Sequence, residues 1–95
     1  MAKAKQASEV IKFTDIPNIG TSIERDFIFL KIKSPQDLQN KEAFTLYTNL
    51  CKGSGLRHDP CVLDTFIAAI DFMNGAPARP WYYYTKERKK KYPDV

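Results

Sequence analysis

Apolar residues recur at three- and four-residue intervals through most of this chain. Ile23, Phe27 and Leu30 form one such set, Ala43, Tyr47, Leu50 and Cys51 a second, and Val62, Phe66, Ala69, Ile70 and Met73 a third. Each set falls on one face of a helix, and no alternating strand pattern competes. Breakers divide the pattern into elements. Ser8 caps a short first helix carrying Val10, Ile11 and Phe13, and Pro17 ends it, because proline lacks an N–H and crowds the preceding turn. Ser34-Pro35 opens a short helix reaching Asn40 and anchored by Leu38. Gly53 closes the helix of Tyr47 and Leu50, Asp59-Pro60 opens the next, and Asn74-Gly75 ends it. Trp81 to Lys91 reads as a last helix, and residues 1–7 as a frayed start.

The stretch from Phe13 to Glu24 predicts a tight turn between two helices. Asn18 and Gly20 are residue types that tolerate positive φ, and Gly20 is expected in a conformation closed to other residues. Ile19 between them is too apolar for a solvent tip and is expected to plug the gap. Thr21 and Glu24 have the spacing of a capping box that starts the second helix. This is a helix-hairpin-helix signature. Its functional expectation is a backbone N–H cradle for phosphate, with Asn18, Ile19, Gly20, Thr21 and Ser22 presenting the groups and Arg25 adding charge. The competing expectation is a structural or protein-binding hairpin.

The predicted fold is all-α: five or six short helices in a single helix-hairpin-helix (SAM-like) domain over residues 1–95. Residues 8–40 would form the first hairpin unit and its connector, 41–75 a second helical pair, and 76–95 an aromatic and basic C-terminal helix and tail. A doubled hairpin, with the second pair echoing the first, is an open alternative.

Charge sharpens this picture. The net charge of +4 lies entirely in residues 79–95, where Arg79, Lys86, Arg88, Lys89, Lys90 and Lys91 face only Glu87 and Asp94. Attraction to polyanions is therefore expected from the tail. Trp81, Tyr82, Tyr83 and Tyr84 precede those lysines and offer stacking surfaces, or else pack onto the core. No apolar stretch follows Lys3 and Lys5, so no signal peptide is expected, and the best apolar run, Thr65 to Met73, is too short to span a bilayer. Two cysteines do not make a disulfide framework, which points to a reducing cytoplasm. Cys51, His58 and Cys61 lack the spacing and the fourth ligand of a zinc site, and nothing supplies an oxyanion hole for a Cys–His nucleophile. No metal, cofactor or catalytic residue is predicted. Arg57-His58-Asp59 admits two readings: a second anion site, or Asp59 as a helix cap with Arg57 paired to an acid such as Asp64.

From Ile16 to Arg88 the chain resembles the small bacterial helix-hairpin-helix proteins known as pathogenicity-locus or mitomycin-resistance proteins. The residues that carry the resemblance are Ile16-Pro17-Asn18-Ile19-Gly20, Arg25-Asp26, Leu30, Ile32, Ser34 and Asp37-Leu38. More specific are Arg57-His58-Asp59-Pro60-Cys61-Val62-Leu63-Asp64, Phe72-Met73-Asn74-Gly75, Pro77-Ala78-Arg79-Pro80-Trp81, Tyr84-Thr85 and Glu87-Arg88. The resemblance implies a compact helical domain with a DNA-binding role and supplies no established activity. Against the general hairpin pattern, Asn18 replaces a first glycine, Glu24 replaces a small residue and adds negative charge where phosphate would sit, and Lys31 replaces a helix-ending glycine. The function expected is non-catalytic, sequence-nonspecific DNA binding, and the resemblance alone implies a place in DNA repair or damage tolerance. Its contacts would be the hairpin residues with Arg25, Arg57, Arg79, Lys86, Arg88, Lys89, Lys90 and Lys91. The alternative is a protein-interaction module without nucleic acid, and no membrane partner is expected.

Overall fold

The structure is a computed structural model and describes residues 3–95. Among these residues the chain is all-helical and strand-free, but it has four α-helices rather than the predicted five or six: α1 (Thr21–Phe29), α2 (Ala43–Ser54), α3 (Pro60–Met73) and α4 (Thr85–Lys91). The two remaining predicted helices are replaced by 3-10 turns.

The first predicted helix is the main correction. Two 3-10 turns, Ala7–Glu9 and Phe13–Asp15, stand in its place, so the hairpin has no α-helical first arm. The Asp15 carboxylate accepts the backbone N–H groups of Ile11 and Lys12 at 3.0 Å each. A side chain that takes backbone donors in this way offers the chain an alternative to helix. These bonds also hold the Asp15 carboxyl below its ordinary pKa, Lys12 contributing most and Ile11 next. Without a first arm there is no second copy of a hairpin unit, and the doubled arrangement falls with it. The start is also less frayed than predicted. Met1 and Ala2 lie outside the described residues, but the Ala4 N–H donates to the Asp15 carbonyl at 2.8 Å.

The turn itself forms. The Ile19 N–H donates to the Ile16 carbonyl at 3.1 Å, around Pro17 and Asn18, with Asn18 at φ 73°. Proline followed by a residue of positive φ is the arrangement of a type II turn. Ile19 is fully buried, as its apolar character demands. Gly20 departs from expectation: its φ is −102°, it is the N-cap of α1, and a β-carbon there would meet nothing within 4 Å. The helix thus begins one residue before the capping-box position, with no side-chain cap.

The end of α1 explains Lys31. The Ile32 N–H donates to Phe27 O and the Lys31 N–H to Ile28 O, at 3.0 and 2.9 Å, with Lys31 at φ 64°. This is a Schellman closure with a lysine in the place that favours glycine. Lys31→Gly is expected to stabilise the protein by about 1 kcal/mol, read as a rise in the thermal midpoint. A fall would show that the lysine side chain supplies more than its backbone costs.

Gly53 lies inside α2, which ends instead at Gly55 (φ 72°). A β-carbon on Gly53 would come within 2.9 Å of the Phe29 ring, so its bare backbone is what lets the end of α1 approach α2. The Ser34–Asn40 helix is the 3-10 turn Pro35–Leu38, with Leu38 fully buried. Helix α3 matches its prediction: Asp59 caps it by accepting the Cys61 N–H at 2.9 Å, and Gly75 (φ 108°) closes it. It contributes nine buried residues and packs against α2, α4 and the turns Pro35–Leu38 and Trp81–Tyr84. Phe27 sits at the centre, 5.3 Å from the Phe13 ring and 5.1 Å from that of Phe66. The last predicted helix is a joined pair, the 3-10 turn Trp81–Tyr84 running into α4.

Candidate nucleic-acid interface

The hairpin turn and the C-terminal segment meet through one side chain. Asn18 Nδ2 donates to the Arg79 carbonyl at 2.7 Å, and Asn18 Oδ1 accepts the Trp81 N–H at 3.2 Å. Both ends of the amide are therefore used, and its turn conformation aims it at a segment more than sixty positions away. Asn18 is thus a clamp and not a free contact. Ile19, also predicted as a contact, is a core residue whose carbonyl accepts Lys3 Nζ at 2.6 Å. Lys3 reaches the Thr14 carbonyl as well, at 2.6 Å, and brings to the turn a charge that sequence reasoning missed. No sequence signal links Lys3 to carbonyls 11 and 16 positions away.

Gly20, Thr21 and Ser22 are exposed at the start of α1, where the first N–H groups of a helix point outward. Arg25 is exposed and Glu24 half-buried in the same two turns. Thus the hairpin contributes an uncapped helix end with two acidic side chains, Asp15 and Glu24, and two basic ones, Lys3 and Arg25, in and around it.

The C-terminal cations divide. Lys86, Lys89, Lys90 and Lys91 are exposed on α4. Arg88 is not: its Nε donates to Asp64 Oδ1 at 2.8 Å and its Nη2 to Asp64 Oδ2 at 3.3 Å. Asp64 is fully buried, and Thr85 Oγ1 donates to it at 2.7 Å. The hydrogen bonds to Asp64 raise the Arg88 pKa above its ordinary value. Arg88 is therefore a structural cation and must be struck from the predicted contacts. It also takes the acid that the sequence reading offered to Arg57. Arg79 is half-engaged, 3.7 Å from Asp71 and with its guanidinium 4.8 Å above the Tyr83 ring. Tyr84 Oη donates to the same Asp71 at 2.8 Å, and burial raises the Tyr84 pKa.

Arg57 is exposed on the loop between α2 and α3. Phe29 against Gly53 places the end of α2 at the C-terminal end of α1, about 13 Å from its start. There His58 Nε2 lies 2.9 Å from Ser54 Oγ, while Ser54 Oγ donates to the Leu50 carbonyl at 2.7 Å. A serine whose proton is so engaged accepts from the imidazole, which makes Nε2 the donor. Tyr47 Oη donates to the His58 carbonyl, and the His58 N–H approaches Cys51 Sγ at 3.5 Å. Burial holds the Asp26 carboxyl above its usual range, opposed by His58. Burial and Asp59 together raise the Cys61 thiol. No group of three or more metal-ligating side chains gathers among the described residues.

The start of α1 thus has outward-facing N–H groups without a side-chain cap, and α4 carries four exposed lysines. No helix among the described residues is long and apolar enough to cross a membrane. The profile of the family described as "Cdd1: Pathogenicity locus" matches residues 6–90. The mitomycin resistance protein McrB of Streptomyces lavendulae is 38% identical over 84 residues, which cover 88% of this chain and 80% of that protein. No solved structure matches the chain significantly.

Proposed function

The chain belongs to the pathogenicity-locus (Cdd1) family, and from that premise we propose that it binds DNA non-catalytically, through the phosphate backbone and without reading sequence. The kinship with a mitomycin resistance protein supports a role in DNA repair or damage tolerance, and the two free cysteines support a reducing, cytoplasmic setting. The observation that carries the reading is the Asn18 clamp, which ties the exposed start of α1 to the segment leading into the α4 lysines. The helix end supplies oriented N–H groups, and the lysines supply the charge that those groups lack. Contacts assigned on this basis are Gly20, Thr21, Ser22, Arg25, Arg79, Lys86, Lys89, Lys90 and Lys91.

The experiment is anisotropy of a labelled duplex at several salt concentrations. Each phosphate neutralised by a lysine contributes about −0.9 to the slope of log K against log salt. Changing Lys86, Lys89, Lys90 and Lys91 together to alanine should therefore flatten the slope by up to about 3.6. A parent protein that fails to bind duplex at low salt refutes the proposal.

A second reading has its own observation. Ile28, Phe29 and Leu56 are large, apolar and exposed, on α1 and on the loop after α2. A protein partner would engage this apolar end, away from the start of α1.

A further inference from the structure

We infer that the surface of Trp81, Tyr82 and Tyr83 is a stacking platform for unpaired bases, so that the DNA taken by this protein includes single-stranded DNA. This rests on the DNA-binding reading above and deepens it.

The 3-10 turn Trp81–Tyr84 holds four aromatic residues in succession. Only Tyr84 is buried, while Trp81, Tyr82 and Tyr83 are 37%, 65% and 57% exposed. These rings do not sit on a loose tail. The Asn18 clamp fixes the start of the turn at Arg79 and Trp81. Tyr84 on Asp71 and Thr85 on Asp64 fix its end. The Trp81 and Tyr82 rings meet edge to face, with centroids 5.7 Å apart. The backbone beneath the three rings is thus anchored on both sides, and the rings are presented to solvent on a held turn.

Charge identifies the occupant. The Arg79 guanidinium lies over the Tyr83 ring, and Tyr83, Lys86, Glu87 and Lys90 line a shallow depression of about 390 Å³. Arg79, Lys86 and Lys90 border the Tyr83 ring against Glu87 and the Asp71 that pairs with Arg79, a net positive edge that suits a polyanion carrying flat apolar groups. A duplex presents only the phosphates of that pair, because its bases are stacked inside. A single strand presents both, and stacking on aromatic side chains beside a basic groove is how single strands are held without sequence preference.

The test compares a labelled twelve-residue oligo(dT) with a duplex of equal length at one salt concentration. Trp81 is the only tryptophan, so its emission reports on the platform. The expected results are tighter binding of oligo(dT) than of duplex and quenching of Trp81 emission. Tyr82→Ala and Tyr83→Ala should each lower the single-strand to duplex affinity ratio by about five- to 150-fold, the worth of one stacked base. Tyr82→Phe keeps the ring face and should retain the parent ratio, which separates stacking from misfolding. Duplex binding with no preference for oligo(dT) and no quenching overturns the platform and leaves backbone binding standing. Loss of binding to both probes overturns both readings. Sedimentation that shows a dimer abolished by Tyr82→Ala, without oligo(dT) binding, assigns the surface to a second copy of the chain and also overturns the inference.

Discussion

Arg88→Ala is expected to destabilise the protein by about 3–5 kcal/mol, the cost of leaving a buried charge without its partner. Asp64 is fully buried inside α3, and it accepts two hydrogen bonds from Arg88 and one from Thr85. Removing the guanidinium leaves the carboxylate with one hydroxyl and no opposing charge. Replacing both charged residues with leucine should recover much of the loss, because well-packed apolar pairs often match buried ion pairs. Urea denaturation of the parent, the single variant and the double variant checks this. An unchanged midpoint for Arg88→Ala would show that the pair does not hold α4 to α3. The result also guards the functional experiment, since lost DNA binding in Arg88→Ala would report a weakened fold and not a lost contact.

Phe27→Ala should be comparably damaging, by about 3–5 kcal/mol, through the loss of a buried ring and the cavity left behind. Phe27 has no exposed surface and lies between Phe13 and Phe66, joining the N-terminal turns to α3 through α1. It is also the residue whose carbonyl accepts the Ile32 N–H that closes α1. In a chain of this size each kcal/mol shifts the thermal midpoint by about 4–8 °C. Phe27→Leu should lose distinctly less. Equal midpoints for Phe27→Ala and the parent would mean that the N-terminal turns do not share a core with α3.

The periodic positions made α1, α2 and α3 legible, because each buried face repeats over several turns and has end signals of its own. The Asp59-Pro60 start and the Asn74-Gly75 stop act through local geometry, so they could be read without knowing the fold. The first element was not legible for a matching reason. Val10 and Phe13 are buried equally well by two tight turns, and the Asp15 carboxylate settles the matter by capturing the N–H groups that a helix would need. Ser34–Asn40 is too short for periodicity to separate a 3-10 turn from a helix.

The candidate site was legible only in part. Exposure of the α4 lysines follows from their composition, but Arg88 looks like its neighbours until Asp64, 24 positions away, is placed against it. Asn18 was identified for its backbone, and φ 73° agrees with that reading. Its side-chain role depends on Arg79 and Trp81, which only tertiary structure brings near. Gly20 shows the converse: a residue type that permits positive φ does not require it, and here serves as an uncapped helix start.

On the reading proposed above, the start of α1 and the basic C-terminal segment form one DNA-binding surface. Amide chemical-shift mapping during titration with a short duplex tests this most directly. The predicted result is a set of salt-sensitive shifts at Gly20, Thr21 and Ser22 together with Arg79 and residues 86–91, and little change at Ile28, Phe29 and Leu56. Shifts confined to that apolar group, or no shifts at low salt, would contradict the claim.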